Sequence, residues 1–124
     1  MTINEGVRSA LQTAVAAGEQ KSGEDFVALD VSEIFPLADA FLLISGRSER
    51  NVQAIADGIE DALNQAGTKT LRREGRGEGR WVLLDFGDII VHVFHQEERA
   101  YYDLERLWKD CPAIALERGL EPSA

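Results

Sequence analysis

A chain of 124 residues with 44% hydrophobic and 28% charged side chains has the composition of one globular domain, long enough for a hydrophobic core and too short for two. Its net charge of −9 disfavours nucleic acid as the main partner and favours a basic protein. The single Cys111 excludes an intramolecular disulfide and, without cysteine neighbours, a cysteine-built metal site; it fits a reducing compartment. The first twenty residues lack the basic start and continuous apolar core of a signal peptide, and no apolar run reaches membrane-spanning length. The expected location is the cytoplasm.

Thr2 and Glu5 have capping-box spacing, and Val7, Ala10, Leu11, Ala14 and Val15 follow at helical spacing, with Gly18 as the expected terminator. A polar connector leads to a short strand over Phe26 to Asp30. Ser32 and Pro36 then punctuate a turn or helical stub between Val31 and Leu37. Ala40 to Ser45 is an uninterrupted apolar run, as expected of a strand covered on both faces in the middle of a sheet. These two strands suit neighbouring positions. Ser48 caps a second helix whose Val52, Ile55, Ile59, Leu63 and Ala66 share one face, and Gly67 ends it. Lys69 to Glu74 reads as a short exposed edge strand, and Gly75, Gly77 and Gly79 alternate with charges in a flexible loop.

Trp81 to Phe86 and Ile89 to Phe94 flank Gly87-Asp88, a two-residue hairpin signal. Arg99 to Lys109 is predicted as a helix ended by Pro112, and residues 116–124 as a frayed tail behind a single domain over residues 1–115. The fold class is therefore α/β: one mixed sheet of about five strands flanked by helices, in the order αββαβββα. The strand–helix–strand unit from Ala40 to Glu74 suits a right-handed crossover if its strands are parallel.

With the turn at Gly87-Asp88, Phe86 faces Ile89, Leu84 faces Val91 and Val82 faces Val93, a wholly apolar core face. The opposite face pairs Asp85 with Ile90, Leu83 with His92 and Trp81 with Phe94. Such a mixture reads either as a partner-binding patch or as a second core beneath a helix, with its histidine hydrogen-bonded. In the helix that follows, Ala100, Tyr101, Leu104, Leu107 and Trp108 share one arc, which directs Tyr101 inward and Tyr102 to the surface as a candidate anchor.

The segment Lys69 to Arg80 holds five basic residues against Glu74 and Glu78, a local +3, so the remainder carries −12. It reads either as a solvated strand edge or as a phosphate contact at the rim of a ribonucleoprotein site. Catalytic readings fare worse. Asp85 and Asp88 straddle the turn, and His92 and His95 point to opposite faces of a strand, which precludes a shared metal in regular geometry. Ser45-Gly46-Arg47-Ser48 leads into a helix but lacks a phosphate-loop lysine and glycine spacing, which favours capping over anion binding as its role. No nucleophile stands beside a base.

Four motifs then act together: Asp39-Xaa-Phe41 leading into Ser45-Gly46-Xaa-Ser48; Arg50-Xaa-Val52; the run WVLLDFGDIIVHVF from Trp81 to Phe94; and Arg99-Xaa-Xaa-Tyr102-Xaa-Leu104-Glu105-Xaa-Leu107-Trp108. Over about Asp25 to Pro112 the chain resembles the ribosomal silencing factor, or Iojap-like, family. The resemblance implies a sheet similar to the nucleotidyltransferase fold without that superfamily's catalytic acids, and no cofactor. It also implies binding to the large ribosomal subunit at its basic ribosomal protein fourteen, which blocks joining of the small subunit and represses translation when nutrients are scarce. The expected partner-binding residues are Trp81, Leu83, Asp85, His92 and Tyr102. Lys69 to Arg80 is a candidate peripheral contact to ribosomal RNA, and the same sheet face is a candidate homodimer interface. The competing reading is a nucleotidyltransferase-like enzyme or nucleotide-binding protein using Ser45 to Ser48 and the glycine-rich loop.

Overall fold

A computed structural model describes residues 4–116, with the side chain of Arg76 excepted. The first helix, α1 (Glu5–Gln20), starts where the Asn4 side chain accepts a 2.8 Å hydrogen bond from the Val7 N–H. Asn4 is thus the cap, in place of the expected Thr2, which lies outside the described residues. The helix also runs two residues past Gly18, which serves packing instead: a Cβ there would meet the Phe26 ring at 2.9 Å. Strands β1 (Glu24–Asp30) and β2 (Ala40–Gly46) pair antiparallel around a turn in which the Phe35 N–H donates to the Val31 carbonyl. Helix α2 (Glu49–Gln65) begins with the Ser48 side chain accepting from the Asn51 N–H, and beyond it Gly67 takes φ +96°.

Strands β3 (Arg72–Arg76), β4 (Trp81–Asp85) and β5 (Ile89–His95) form an antiparallel meander. The β4–β5 register is the one read from Gly87-Asp88, with Trp81 opposite Phe94, Leu83 opposite His92 and Asp85 opposite Ile90. The first of these strands extends into the glycine-rich stretch: Gly75 pairs with Val82, so only residues 77–80 remain as the connecting turn. Two short helices follow, α3 (Gln96–Tyr102) and α4 (Leu104–Leu107), and a sixth strand, β6 (Ala113–Ile114), pairs with β1.

The sheet is mixed, in the order β3-β4-β5-β2-β1-β6. Among the described residues its one parallel pair is β2 with β5, in register from Ala40 opposite Ile89 to Gly46 opposite His95. The unit from Ala40 to Glu74 does join parallel strands, since β3 is antiparallel to β4, β4 to β5, and β5 parallel to β2, with β4 and β5 standing between them. Helices α1 and α2 cover one face, where Leu11, Val15, Ile55 and Ile59 meet Leu42, Ile44, Leu84, Val91 and Val93. This is the larger core. On the other face Phe41, Leu43, Ile90 and Phe94 form a smaller cluster with Leu29, Val31 and Cys111. Edge-on contacts of Phe35 and Trp108 with the Phe41 ring close that side at 5.2 and 5.0 Å.

The largest departure from the sequence reading is the helix expected over Arg99 to Lys109. It starts earlier, at Gln96, and breaks at Asp103, whose φ of +50° lies in the left-handed region. The break resets the phase of everything beyond it, so periodicity carried across it fails. Tyr101 is 79% exposed and Leu107 72% exposed, both expected inward, whereas Tyr102 packs on Trp81 at 4.8 Å between ring centroids. Leu116, the first residue of the expected tail, packs against the larger core, and the rest of that tail, residues 117–124, lies outside the described residues.

A candidate protein-binding face on the outer strands

Cover over the second sheet face thins from the centre towards β3. One transverse row shows the gradient: Val27, Leu43, His92, Leu83 and Glu74 stand opposite one another across β1, β2, β5, β4 and β3. Leu43 and His92 are buried, Leu83 is half-buried and Glu74 is exposed. The next row runs from buried Ser45 through buried Phe94 to half-buried Trp81. Alternation on β4 explains the split, with Val82 and Leu84 turned to the larger core while Trp81, Leu83 and Asp85 face the thinly covered side. Glu74, Gly75, Trp81 and Leu83 line a shallow cleft of about 200 Å³ there.

The Trp81 indole lies over Phe94 at 4.8 Å, with Tyr102 on its flank. Its Nε1–H donates to Nδ1 of His92 at 3.3 Å. His92 is 6% exposed, so the structure sets it beneath the candidate surface and not on it. Its Nε2 is buried without a hydrogen-bond partner among the described residues, and burial pushes its pKa from 6.5 down to about 4. The ring is therefore neutral near pH 7. Asp85 has a structural duty as well, because its Oδ1 accepts from the Gly87 N–H at 2.9 Å and steadies the hairpin turn.

Tyr102 owes its position to a clamp that sequence reasoning missed. Arg99 donates to Ser45 Oγ at 3.0 Å and to the Glu105 carboxylate at 2.7 Å, joining the end of β2 to both sides of the Asp103 break. These bonds hold the Glu105 carboxyl below its ordinary pKa. A separation of six residues is not a helical neighbour spacing, so nothing in the sequence coupled Arg99 to Glu105, and the pair emerges only with the break itself. Glu74 at the cleft rim was also missed, and emerges once β3 is registered against β4.

The basic stretch turns largely inward on its own chain. Arg73 bridges Asp57 and Glu60 at 2.9 and 2.8 Å, Arg80 bridges Glu97 and Glu98 at 3.0 and 2.9 Å, and Arg72 lies 3.3 Å from Glu74. Ser45 to Ser48 is equally committed: Ser45 meets Arg99, Ser48 caps α2, and a Cβ on Gly46 would meet Val52 at 2.7 Å. No group of three or more His, Cys, Asp or Glu residues is placed to hold a metal ion among the described residues.

Fold and face together define a small mixed α/β protein with one well-covered and one partly open sheet face. A family profile described as "Ribosomal silencing factor during starvation" matches residues 4–124. The chain is 47% identical over 113 residues to the ribosomal silencing factor RsfS of Bacillus subtilis, covering 91% of this chain and 96% of that protein. It is 49% identical over 107 residues to its namesake in Halalkalibacterium halodurans, covering 86% and 92% respectively. A crystal structure of a Chromobacterium violaceum protein superposes with a TM-score of 0.80 at 34% identity, covering 94% of this chain and 90% of that one. The chain belongs to the ribosomal silencing factor family, whose members also include Iojap-like proteins.

Proposed function

We propose that this protein binds the large ribosomal subunit at its basic ribosomal protein fourteen and, by occupying that surface, blocks joining of the small subunit. It acts sterically and in the cytoplasm, without catalysis, and so represses translation under nutrient limitation. Trp81, Leu83, Asp85 and Tyr102 form the centre of the contact, with His92 beneath it. The observation that carries this reading is the half-buried Trp81 and Leu83 on an outer strand, beside a cleft that the chain's own helices leave open. Aromatic side chains of this kind dominate protein interfaces, and a typical contact buries about 800 Å² per partner. The net charge of −9 complements a basic partner. The ion pairs of Arg72, Arg73 and Arg80 make the basic stretch a rim at best suited to peripheral RNA contact through exposed Lys69.

Sedimentation with purified subunits tests the reading. Co-migration with the large subunit, and a reduced yield of joined ribosomes when the small subunit is added, are expected. Co-migration with the small subunit, or undiminished joining, would sink it. A dimer in sedimentation of the isolated protein that dissociates on Trp81→Ala would instead assign the face to self-association.

A further inference from the structure

Contacts of different kinds converge on Trp81. Phe94 beneath and Tyr102 beside it are ring contacts, which tolerate sliding and tilting of the indole. Register alone places the Arg76 backbone opposite. The bond from Trp81 Nε1–H to His92 Nδ1 is directional: it sets which edge of the indole points into the sheet and which is presented outward. His92 is itself fixed, standing edge-on to Phe41 at 5.1 Å and stacked with Phe94 at an interplanar angle of 11°.

The fold has no need of an imidazole at this position. If Nδ1 accepts, the ring proton sits on Nε2, and that atom is buried without a partner among the described residues. A leucine of similar bulk, like Leu43 beside it, would fill the space and remove the unsatisfied Nε2, and would take from the packing only the acceptor of the part-buried Trp81 Nε1–H. The histidine therefore burdens the core, and what its other nitrogen does is hold the tryptophan of the candidate interface.

We infer that His92 is a positioning residue: as a buried hydrogen-bond acceptor it locks the Trp81 indole in the orientation that docks on the partner, without touching the partner itself. This rests on the proposed binding face. It predicts that the orientation of one ring, and not the stability of the sheet, sets affinity for the large subunit.

The test compares His92→Leu, which removes the acceptor, with His92→Asn, whose side-chain oxygen lies near the place of Nδ1. The indole N–H proton resonance of Trp81, identified by its loss in Trp81→Phe, reports the bond directly. In His92→Leu that resonance is expected to move upfield and its hydrogen exchange to quicken, while the thermal melt stays cooperative and large-subunit affinity falls about tenfold, about 1.4 kcal/mol. His92→Asn is expected to restore the resonance and most of the affinity. Unchanged affinity in His92→Leu, with Trp81→Ala deficient in binding, would overturn the positioning role and leave the face standing. Unchanged affinity in Trp81→Ala would remove the face itself, and this inference with it. Affinity lost equally in His92→Leu and His92→Asn, with the resonance restored in the latter, would also overturn it.

Discussion

Truncation of the half-buried side chains of β4 should separate binding from folding, whereas Val82 and Leu84 on the same strand belong to the larger core. Trp81→Ala removes a ring that rests on Phe94 and Tyr102 but is not enclosed, so the protein should still melt cooperatively, with stability lowered by about 1–3 kcal/mol. Binding should suffer more, by roughly 2–4 kcal/mol, as for aromatic anchors at interfaces. Pelleting with large subunits beside a denaturant melt checks both halves; a loss of folding as large as the loss of binding would return Trp81 to the core. His92 supplies a second prediction at this scale. Its pKa is depressed from 6.5 to about 4, so between those values the native state holds fewer protons than the unfolded chain. Stability is then complete above pH 6.5 and is lost as pH falls towards 4, by something on the order of 3 kcal/mol. Glu24, Glu97 and Glu105 have pKa values lowered from 4.5, so their contributions are lost only as pH falls below about 4.5. Denaturant melts between pH 6.5 and 4.5 therefore isolate the histidine, and His92→Leu should flatten the slope there.

Among the elements, the broken C-terminal helix decides where the two adjacent tyrosines point. Tyr101 is exposed, so Tyr101→Ala should change stability by no more than about 0.5 kcal/mol. Tyr102 packs on Trp81, so Tyr102→Ala should cost about 1–3 kcal/mol and weaken subunit binding as well. Parallel melts of the two variants test this, and a larger loss for Tyr101→Ala would mean an unbroken helix. Asp103→Val, which forces a β-branched side chain into the left-handed region, should cost at least about 1 kcal/mol, readable in the same melts. These elements also show what was legible beforehand. Alternating hydrophobicity around Gly87-Asp88 gave the β4–β5 register residue by residue, because a one-residue slip would have turned every side chain to the wrong face. The apolar run of β2 announced its central place for another reason, since only a strand covered on both faces is apolar throughout. Periodicity failed where the backbone leaves its regular path: Asp103 is compatible with an uninterrupted helix as a residue type, and the Arg99 clamp that stabilises the break joins positions distant in sequence. The face was legible as a row of residues, but not the depth of each. That Trp81 lies above His92 depends on what covers β5, and that cover comes from the turn after β1 and from the helix with the misread phase.

For the whole molecule, charge should govern arrival more than residence. A net charge of −9 draws the protein towards a basic surface over distances comparable with the Debye length, about 8 Å at physiological ionic strength. Raising salt should therefore slow association with the large subunit steeply and alter dissociation little, since the centre of the face is aromatic and apolar. Stopped-flow traces across ionic strength read both rates, and an association rate indifferent to salt would remove steering from the account.

The parallel pairing of β2 with β5 has a consequence of another kind, in the order of synthesis. β2 ends at Gly46 and its neighbour ends at His95, so the most apolar strand of the chain is made well before the strand that completes its hydrogen bonding on that side. At about 5–20 residues per second, a nascent chain carries Ala40 to Gly46 without that partner for roughly 2–10 s. An uncharged strand of this composition is prone to pair with copies of itself while it waits. What emerges directly after it is α2, an amphipathic helix that can form in microseconds and lay Val52, Ile55 and Ile59 over one side of the strand. Its place in the chain lets α2 act as a built-in escort for β2 until the sheet can close.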